Sequence, residues 1–222
     1  MKKKYLFNKA IFLGGSKGIG RAIYSSLKKL KIKNIIKCSS KDIDTSNIES
    51  VKLFAKKHPL VDVIVLNTGG PPNINFENIT NDLWIRYFKQ LFLGYVTLLK
   101  AIKINKNGYI FNISSAIIKE PSENLIISSS LRIAFISLLK SLTYKYNKDN
   151  IAIINIAPGP FKTNRIKKLV LDLKNFEKNL PLKKIGNPNE IAEFVNFILS
   201  KKIKYITGST IFFDGSTNKS FI

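Results

Sequence analysis

The chain has 222 residues, 45% of them hydrophobic, enough for one domain with a sizeable core. Its one cysteine, Cys38, excludes an intrachain disulfide framework, and its one histidine, His58, has no cysteine nearby, which argues against a His/Cys metal site. The formal net charge of +23 raises nucleic acid or a membrane surface as a partner, but the lysines are spread along the whole chain and no block alternates basic with aromatic residues, so compositional bias is the better account.

The opening MKKKYLFNKAIFL has the start of a leader sequence, but Asn8 and Lys9 interrupt its apolar run and no small-residue cleavage site follows. No stretch reads as long enough to span a membrane, so the expectation is a cytoplasmic protein. Apolar, β-type runs fall at 10–13, 34–38, 61–66, 109–113, 151–156 and 210–213. They are almost continuously apolar, as strands buried on both faces of a parallel sheet must be. Helical patterns fill the intervals at 19–30, 48–57, 81–104, 122–146 and 189–200, the last opened by Pro188, Asn189 and Glu190. This alternation predicts an α/β fold, one doubly wound parallel sheet of six to seven strands in a single domain covering 1–222. Residues 160–187 form the longest stretch without strand character and are expected to be a substrate loop or lid.

Between the first strand and the first helix lies Gly14-Gly15-Ser16-Lys17-Gly18-Ile19-Gly20. Glycines there permit a tight turn and close approach of backbone to a pyrophosphate, which the helix N-terminus attracts. The spacing is G-x-x-x-G-x-G, which resembles the short-chain dehydrogenase/reductase family. Later segments agree in order: Asn67-Thr68-Gly69-Gly70 after a strand, Phe111 to Ser115, the run Asn155 to Thr163 containing Pro158 and Gly159, and Thr207-Gly208 through Asp214-Gly215. The resemblance implies a Rossmann-like fold, a dinucleotide cofactor and hydride transfer to a carbonyl or from an alcohol. It also implies a homodimer or homotetramer built on the long helices at 81–104 and 122–146.

One segment is short against this pattern. The second strand runs to Cys38-Ser39-Ser40, and Asp44-Thr45-Ser46-Asn47 already resembles the family's segment beside the adenine, as though a helix and most of a strand were missing. Asp44 then either accepts from the adenine amino group or caps a helix. NADP is favoured over NAD, because no acid is poised at the end of the second strand for a ribose hydroxyl, while Lys17, Ser39 and Lys41 suit a 2′-phosphate. These lysines have the alternative reading of compositional background.

The family's machinery is Asn, Ser, Tyr and Lys, with the last two spaced Y-x-x-x-K. Alignment on Ser115 puts Ser128 at the tyrosine and Arg132 at the lysine, and alignment on Trp84 and Gly94 puts Leu91 at the asparagine. Two other pairs with that spacing, Tyr24 with Lys28 and Tyr144 with Lys148, stand at the wrong distance from Ser115. The arginine is notable in a chain that otherwise writes lysine: its arginines are Arg21, Arg86, Arg132 and Arg165. A guanidinium offers a planar fork but does not readily move protons. The stretch Asn67–Pro72 reads NTGGPP, and the resemblance extends to a branch that pairs it with this Ser/Arg change, whose members are commonly labelled 3-oxoacyl-carrier-protein reductases.

The leading expectation is therefore an NADP-dependent oxidoreductase on a small, anionic or neutral, carbonyl or alcohol substrate. In it Ser115 orients the carbonyl, Arg132 holds the ribose or an anionic group, and Ser128 relays a proton or simply belongs to a serine N-cap. Its cofactor set is Gly14, Ser16, Lys17, Gly18, Ile19, Gly20, Ser39, Asp44, Asn67, Gly69, Arg132, Pro158, Gly159 and Thr163. The alternative is a cofactor-binding protein without turnover, acting as a sensor or partner subunit. Arg132→Lys is expected to weaken ligand binding with little change in folding stability.

Overall fold

The structure is a computed structural model that describes residues 5–220; residues 1–4, the start of the leader-like stretch, and 221–222 lie outside the described residues. Six strands, β1 (Phe7–Phe12), β2 (Ile32–Lys37), β3 (Leu60–Leu66), β4 (Lys103–Ile113), β5 (Ala152–Pro158) and β6 (Thr210–Phe213), form one sheet in the order β2-β1-β3-β4-β5-β6. Every pairing is parallel. The chain winds one way from β1 to β2 and the other way from β3 onward, so a crevice opens at the carboxyl ends of β1 and β3, where such folds bind ligands.

Helices cover both faces, which is why the central strands are apolar throughout. On one face α1 (Gly18–Leu27) and α8 (Pro188–Ser200) place Ile23, Leu27, Ile191 and Val195 against Phe12, Val65 and Phe111. On the other, α2 (Ile48–Lys57), α4 (Gly94–Ala101) and α5 (Ile126–Tyr146) place Phe54, Leu98, Phe135 and Leu139 against Ile11, Ile64 and Ile110. Each such side chain contributes about 1.5–3 kcal/mol by leaving water. The start of α8 matches the expectation from Pro188: Asn187 and Glu190 form a reciprocal capping box. After β2 the chain passes directly to α2, and no strand lies outside β2 among the described residues, as the shortened segment implies.

Two expectations need correction, and a third segment gains detail. The helix expected over 81–104 is α3 (Asn81–Phe88), a π-turn (Lys89–Leu93) and α4, and residues 103–104 already belong to β4, where Lys103 and Ile104 pair with Leu60 and Val61. The tertiary pairing overrides the helical period there. Residues 160–187 lack strands as expected, but hold α6 (Asn164–Leu169) and α7 (Leu173–Asn179). The segment is closed at its base by a bridge between Phe161 and Gly186, with Lys162 N donating to Gly186 O at 2.9 Å and Gly186 N to Pro160 O at 2.9 Å. Lastly, 126–149 is long and apolar enough to cross a bilayer by length and composition, contrary to expectation. Here it is a core helix, with Phe135 and Leu139 buried on the sheet and Ile133 and Tyr144 exposed on its outer side.

At the opposite end of the sheet from the crevice, four residues of β4 bulge between Ile104 and Tyr109, with Asn107 at φ 62°. Asp62, almost wholly buried, ties this bulge to β1: its carboxylate accepts from Asn8 N, Lys9 N and Asn105 Nδ2, each at 2.7 Å.

Candidate functional site

A cleft of about 790 Å³ lies at the carboxyl ends of the strands, within the range of small-molecule sites. Of the residues singled out from the sequence as catalytic or cofactor-binding, all but Gly20 and Lys41 line it. Gly20 acts one layer behind. A Cβ there would lie 2.3 Å from Gly14 O and 2.7 Å from Asn67 Nδ2, so its missing side chain lets α1 close on the loop. Asn67 Nδ2 in turn donates to Gly14 O at 3.2 Å, tying the loop to the end of β3. Gly18, at φ 53°, opens α1 in a backbone region that side chains disfavour. The helix starts with no side-chain cap at Lys17 and no acid in its first turn, which leaves its leading N–H groups suited to a phosphate.

The turn after β2 holds Asp42, which does not line the cleft. Its Oδ2 accepts from both Ser39 N and Ser39 Oγ at 2.7 Å. The Ser39 backbone, then its hydroxyl, hold the Asp42 carboxyl below its ordinary pKa. Ser39 lines the cleft, but its hydroxyl proton is committed to Asp42, while Lys41 offers its backbone N–H to Ser39 Oγ at 3.2 Å and its side chain is not part of the cleft wall. Lys17 is therefore the cation from this set that faces the cleft. Asp44 is not a helix cap. Its Oδ1 accepts from Ser46 N at 2.9 Å and Ser46 Oγ at 2.7 Å, whereas Asn47 caps α2 by accepting from Ser50 N at 3.1 Å. Gly94 positions this loop: a Cβ there would stand 2.1 Å from Thr45 O, so only glycine lets α4 pass so close.

At the other end of the cleft, β4 delivers Ser114 and Ser115. Ser115 is half-buried in extended backbone and makes no capping bond, while Ser114 Oγ is buried without a hydrogen-bond partner among the described residues. The three serines do not cap α5, whose cap position is Leu125. Ser129 Oγ turns back to the carbonyls of Leu125 and Ile126. Ser128 is buried and its Oγ accepts from Arg132 Nε at 3.1 Å, one helical turn on. Arg132 Nη1 donates to Ile113 O at 3.2 Å. The fork thus spans α5 and the end of β4. Leu91, where the resemblance expects asparagine, is buried with Tyr87 and Ile127 in a small apolar cluster beside the π-turn. The two decoy pairs stay away: Tyr24 packs edge-on against Phe12, Tyr144 is 80% exposed, and neither lines the cleft.

Several cleft residues escaped the sequence reading. Gln90, in the π-turn, donates to Gly69 O at 2.7 Å and Thr68 Oγ1 at 3.3 Å, holding the NTGG loop. Arg86 and Arg165 also line the cleft, and an Arg165 Nη2 donates to Pro71 O. The rarity of arginine was the signal that could have found both. Burial lowers the pKa of Arg132; the nearby Tyr95 hydroxyl opposes this and the Arg165 charge adds to it. Tyr95 Oη is itself buried without a partner among the described residues, and burial raises its pKa, so it is not an activated acid.

The profile of a family described as enoyl-(acyl carrier protein) reductase matches residues 17–218. The NADPH-dependent reductase BacG of Bacillus subtilis is 28% identical, over 95% of this chain and 98% of its own. The 3-oxoacyl-[acyl-carrier-protein] reductase FabG of Buchnera aphidicola subsp. Acyrthosiphon pisum is 27% identical, over 93% and 95%. The crystal structure of YwfH, described as an NADPH-dependent reductase involved in bacilysin biosynthesis, superposes with a TM-score of 0.84 at 22% identity, over 96% of this chain and 99% of that one. The glycine loop, the sheet order, the serine-bearing end of β4 and this match over most of the chain lead to one conclusion: the protein belongs to the short-chain dehydrogenase/reductase family.

Proposed function

We propose that the protein is an NADPH-dependent oxidoreductase of the carbonyl reductase type, acting on a small molecule in the cytoplasm. The observation that carries this reading is one continuous cleft. It joins an uncapped helix start and glycine loop at one end to Ser115, Ser128 and Arg132 at the other. The residues fit the cofactor: the glycine cradle and α1 suit the pyrophosphate, Asp44 the adenine, Lys17 a 2′-phosphate and Arg132 the second ribose. The BacG and YwfH relatives, both named as NADPH-dependent, support the choice of NADP over NAD.

When bound, NADPH supplies a hydride to a carbonyl carbon, and a proton completes the alcohol. Ser115 orients the carbonyl oxygen by donating its hydroxyl proton. Ser128 Oγ accepts from the Arg132 fork, so its own proton is directed elsewhere. The adjacent guanidinium eases its loss, as a cation lowers the pKa of a neighbouring hydroxyl. Arg132 keeps its proton throughout, and Ser128 passes on a proton drawn from solvent.

Steady-state loss of NADPH absorbance over a panel of carbonyl compounds tests this reading. Turnover with NADPH that is lost in Ser115→Ala supports it. Tight NADPH binding with no turnover on any compound would favour the sensor or partner-subunit reading, for which the observation is Leu91 and Ser128 in place of two polar machinery groups.

The proposal extends to assembly. Helix α5 exposes Ile133 at 47%, and α3, which packs on α5, exposes Ile85 and Phe88 at 52% and 41%. Large apolar side chains left open on two neighbouring helices mark a surface that a partner can cover. A second copy of the chain, forming a homodimer or homotetramer, is the occupant we propose.

A further inference from the structure

We infer that the substrate is an oxo acid, held by its carboxylate between Arg132 and Arg165; this rests on the reductase reading above. In a chain with 37 Lys+Arg, three of the four arginines, Arg86, Arg132 and Arg165, line the one cleft where the chemistry sits. They arrive on three separate elements, α3, α5 and α6. Two of them converge. A single point beside Gly70, where a Cβ would stand, is 3.3 Å from Arg165 Nη2 and 3.6 Å from Arg132 Nη2. The chain keeps glycine there, so no side chain at position 70 stands between the two forks.

Among the described residues, neither fork has an acid. The ion pairs among the described residues are Lys52–Glu49 and Lys106–Asp149, both at the surface. The fork nitrogens meet only neutral oxygens, Ser128 Oγ, Ile113 O and Pro71 O, which use a minority of their N–H donors. Two half-buried cations at close range without a counter-ion repel one another, and burial lowers the pKa of both. An anion between them removes that repulsion. Planar forks suit the planar oxygens of a carboxylate in a way that lysine does not.

The place of the pair sets the chemistry. On the reading above, the glycine loop and the start of α1 already take the cofactor phosphates. Arg132 is bonded to Ser128, so an anion on this fork lies next to the proton relay, and its carbonyl lies within reach of Ser115. Arg165 sits on α6 within the segment 160–187, so a bound carboxylate also ties that segment over the cleft. The reaction then converts the oxo acid to the hydroxy acid, with NADPH giving the hydride and becoming NADP+ and solvent supplying the proton through Ser128.

The test separates this inference from the reading beneath it. The protein is saturated with NADP+, which binds without turnover, and titrated calorimetrically with straight-chain 2- and 3-oxo acids of three to six carbons and with their methyl esters. At least one acid is expected to bind ten-fold or more tighter than its ester. Arg165→Gln is expected to weaken that acid ten- to a hundredfold and leave the ester and NADP+ unchanged. Arg165→Lys, which keeps the charge and guards against a folding defect, is expected to weaken the acid by a smaller factor. Acids and esters that bind equally, acids that all fail to bind while NADP+ does, or an Arg165→Gln loss that falls on NADP+ instead, overturn the oxo-acid inference. Failure of NADP+ itself to bind overturns the reductase reading.

Discussion

Arg132→Lys keeps the charge and removes the fork. In the sequence reading this change touches ligands alone. The structure enlarges the expectation, because both directed bonds of the fork go to the protein: Nε to Ser128 Oγ at 3.1 Å and Nη1 to Ile113 O at 3.2 Å. Hydrogen bonds from a charged donor contribute about 1.5–3 kcal/mol each. A lysine ammonium is a single point and recovers one of the two at best. The net loss is then about 1.5–3 kcal/mol of stability, or roughly 3–12 °C in Tm at about 2–4 °C per kcal/mol for a domain of this size. The displaced ammonium also leaves Ser128 unsupported, so NADPH or substrate affinity is expected to fall by about ten- to a hundredfold. Thermal unfolding with and without NADPH, together with a fluorescence titration, measures both effects. An unchanged Tm and unchanged affinities would refute the reasoning. A loss of affinity at constant Tm would mean that the two protein-directed bonds contribute nothing in solution.

Further changes probe the same cleft. Gly94→Ala puts a Cβ 2.1 Å from Thr45 O, so the 44–46 loop must move off α4; NADPH affinity is expected to drop at least ten-fold in a titration, and an unchanged value would contradict the place proposed for Asp44 beside the adenine. Ile133→Lys places a charge on the outward apolar side of α5, and light scattering is expected to show a smaller assembly than wild type at the same micromolar concentration; equal masses would exclude this face as the interface. Burial, then the Asp42 carboxylate, push the Cys38 thiol from 9.0 up to about 12. The unfolded chain releases that proton near 9.0 and the folded chain holds it to about 12, so the thiol's contribution to stability is present below pH 9 and lost through that window. The Tm advantage of wild type over Cys38→Ala is expected to shrink from pH 9 upward, and a constant difference would show that the thiol does not titrate in this range.

The sheet was legible because its strands are buried on both faces, and burial leaves a direct trace in composition. Val61 to Leu66 is apolar but for Asp62, and Asp62 departs because it serves the bulge in β4 rather than the core. The glycine loop was legible for a similar reason, since Gly14 and Gly20 answer to local sterics that no other residue satisfies. What the sequence hid was set by distant partners. The π-turn in 81–104 carries no Pro or Gly signal at its centre. The early start of β4 depends on Leu60 and Val61 being alongside. Asp42 stands five residues beyond β2, and its return to Ser39 is a property of the turn rather than of any local pattern. The arginines were visible in composition, but only the folded chain shows that Arg165, 33 positions from Arg132 in sequence, reaches the same point beside Gly70.

On the proposed reading, Ser128 and Arg132, where the resemblance expects Tyr and Lys, make physical sense as one change. A tyrosine needs the room that its ring fills and a lysine to lower its pKa; a serine in the same place leaves that room open and is too weak an acid to act alone. The guanidinium answers the second problem by donating directly to Ser128 Oγ across one helical turn, a contact that i and i+4 residues make naturally. The cleft beside this pair is lined by Arg132 and by Arg165, which is anchored to Pro71 O. A neutral substrate gains nothing from two unpaired cations at that boundary and must share the cleft with their repulsion. A negatively charged one is attracted to both, and its charge is set beside the hydroxyl that the reaction uses. On the proposed reading, serine in place of the tyrosine would weaken the chemistry on its own; joined to Arg132 and Arg165, it would exchange a general proton donor for a site whose reactivity depends on the charge of what it binds.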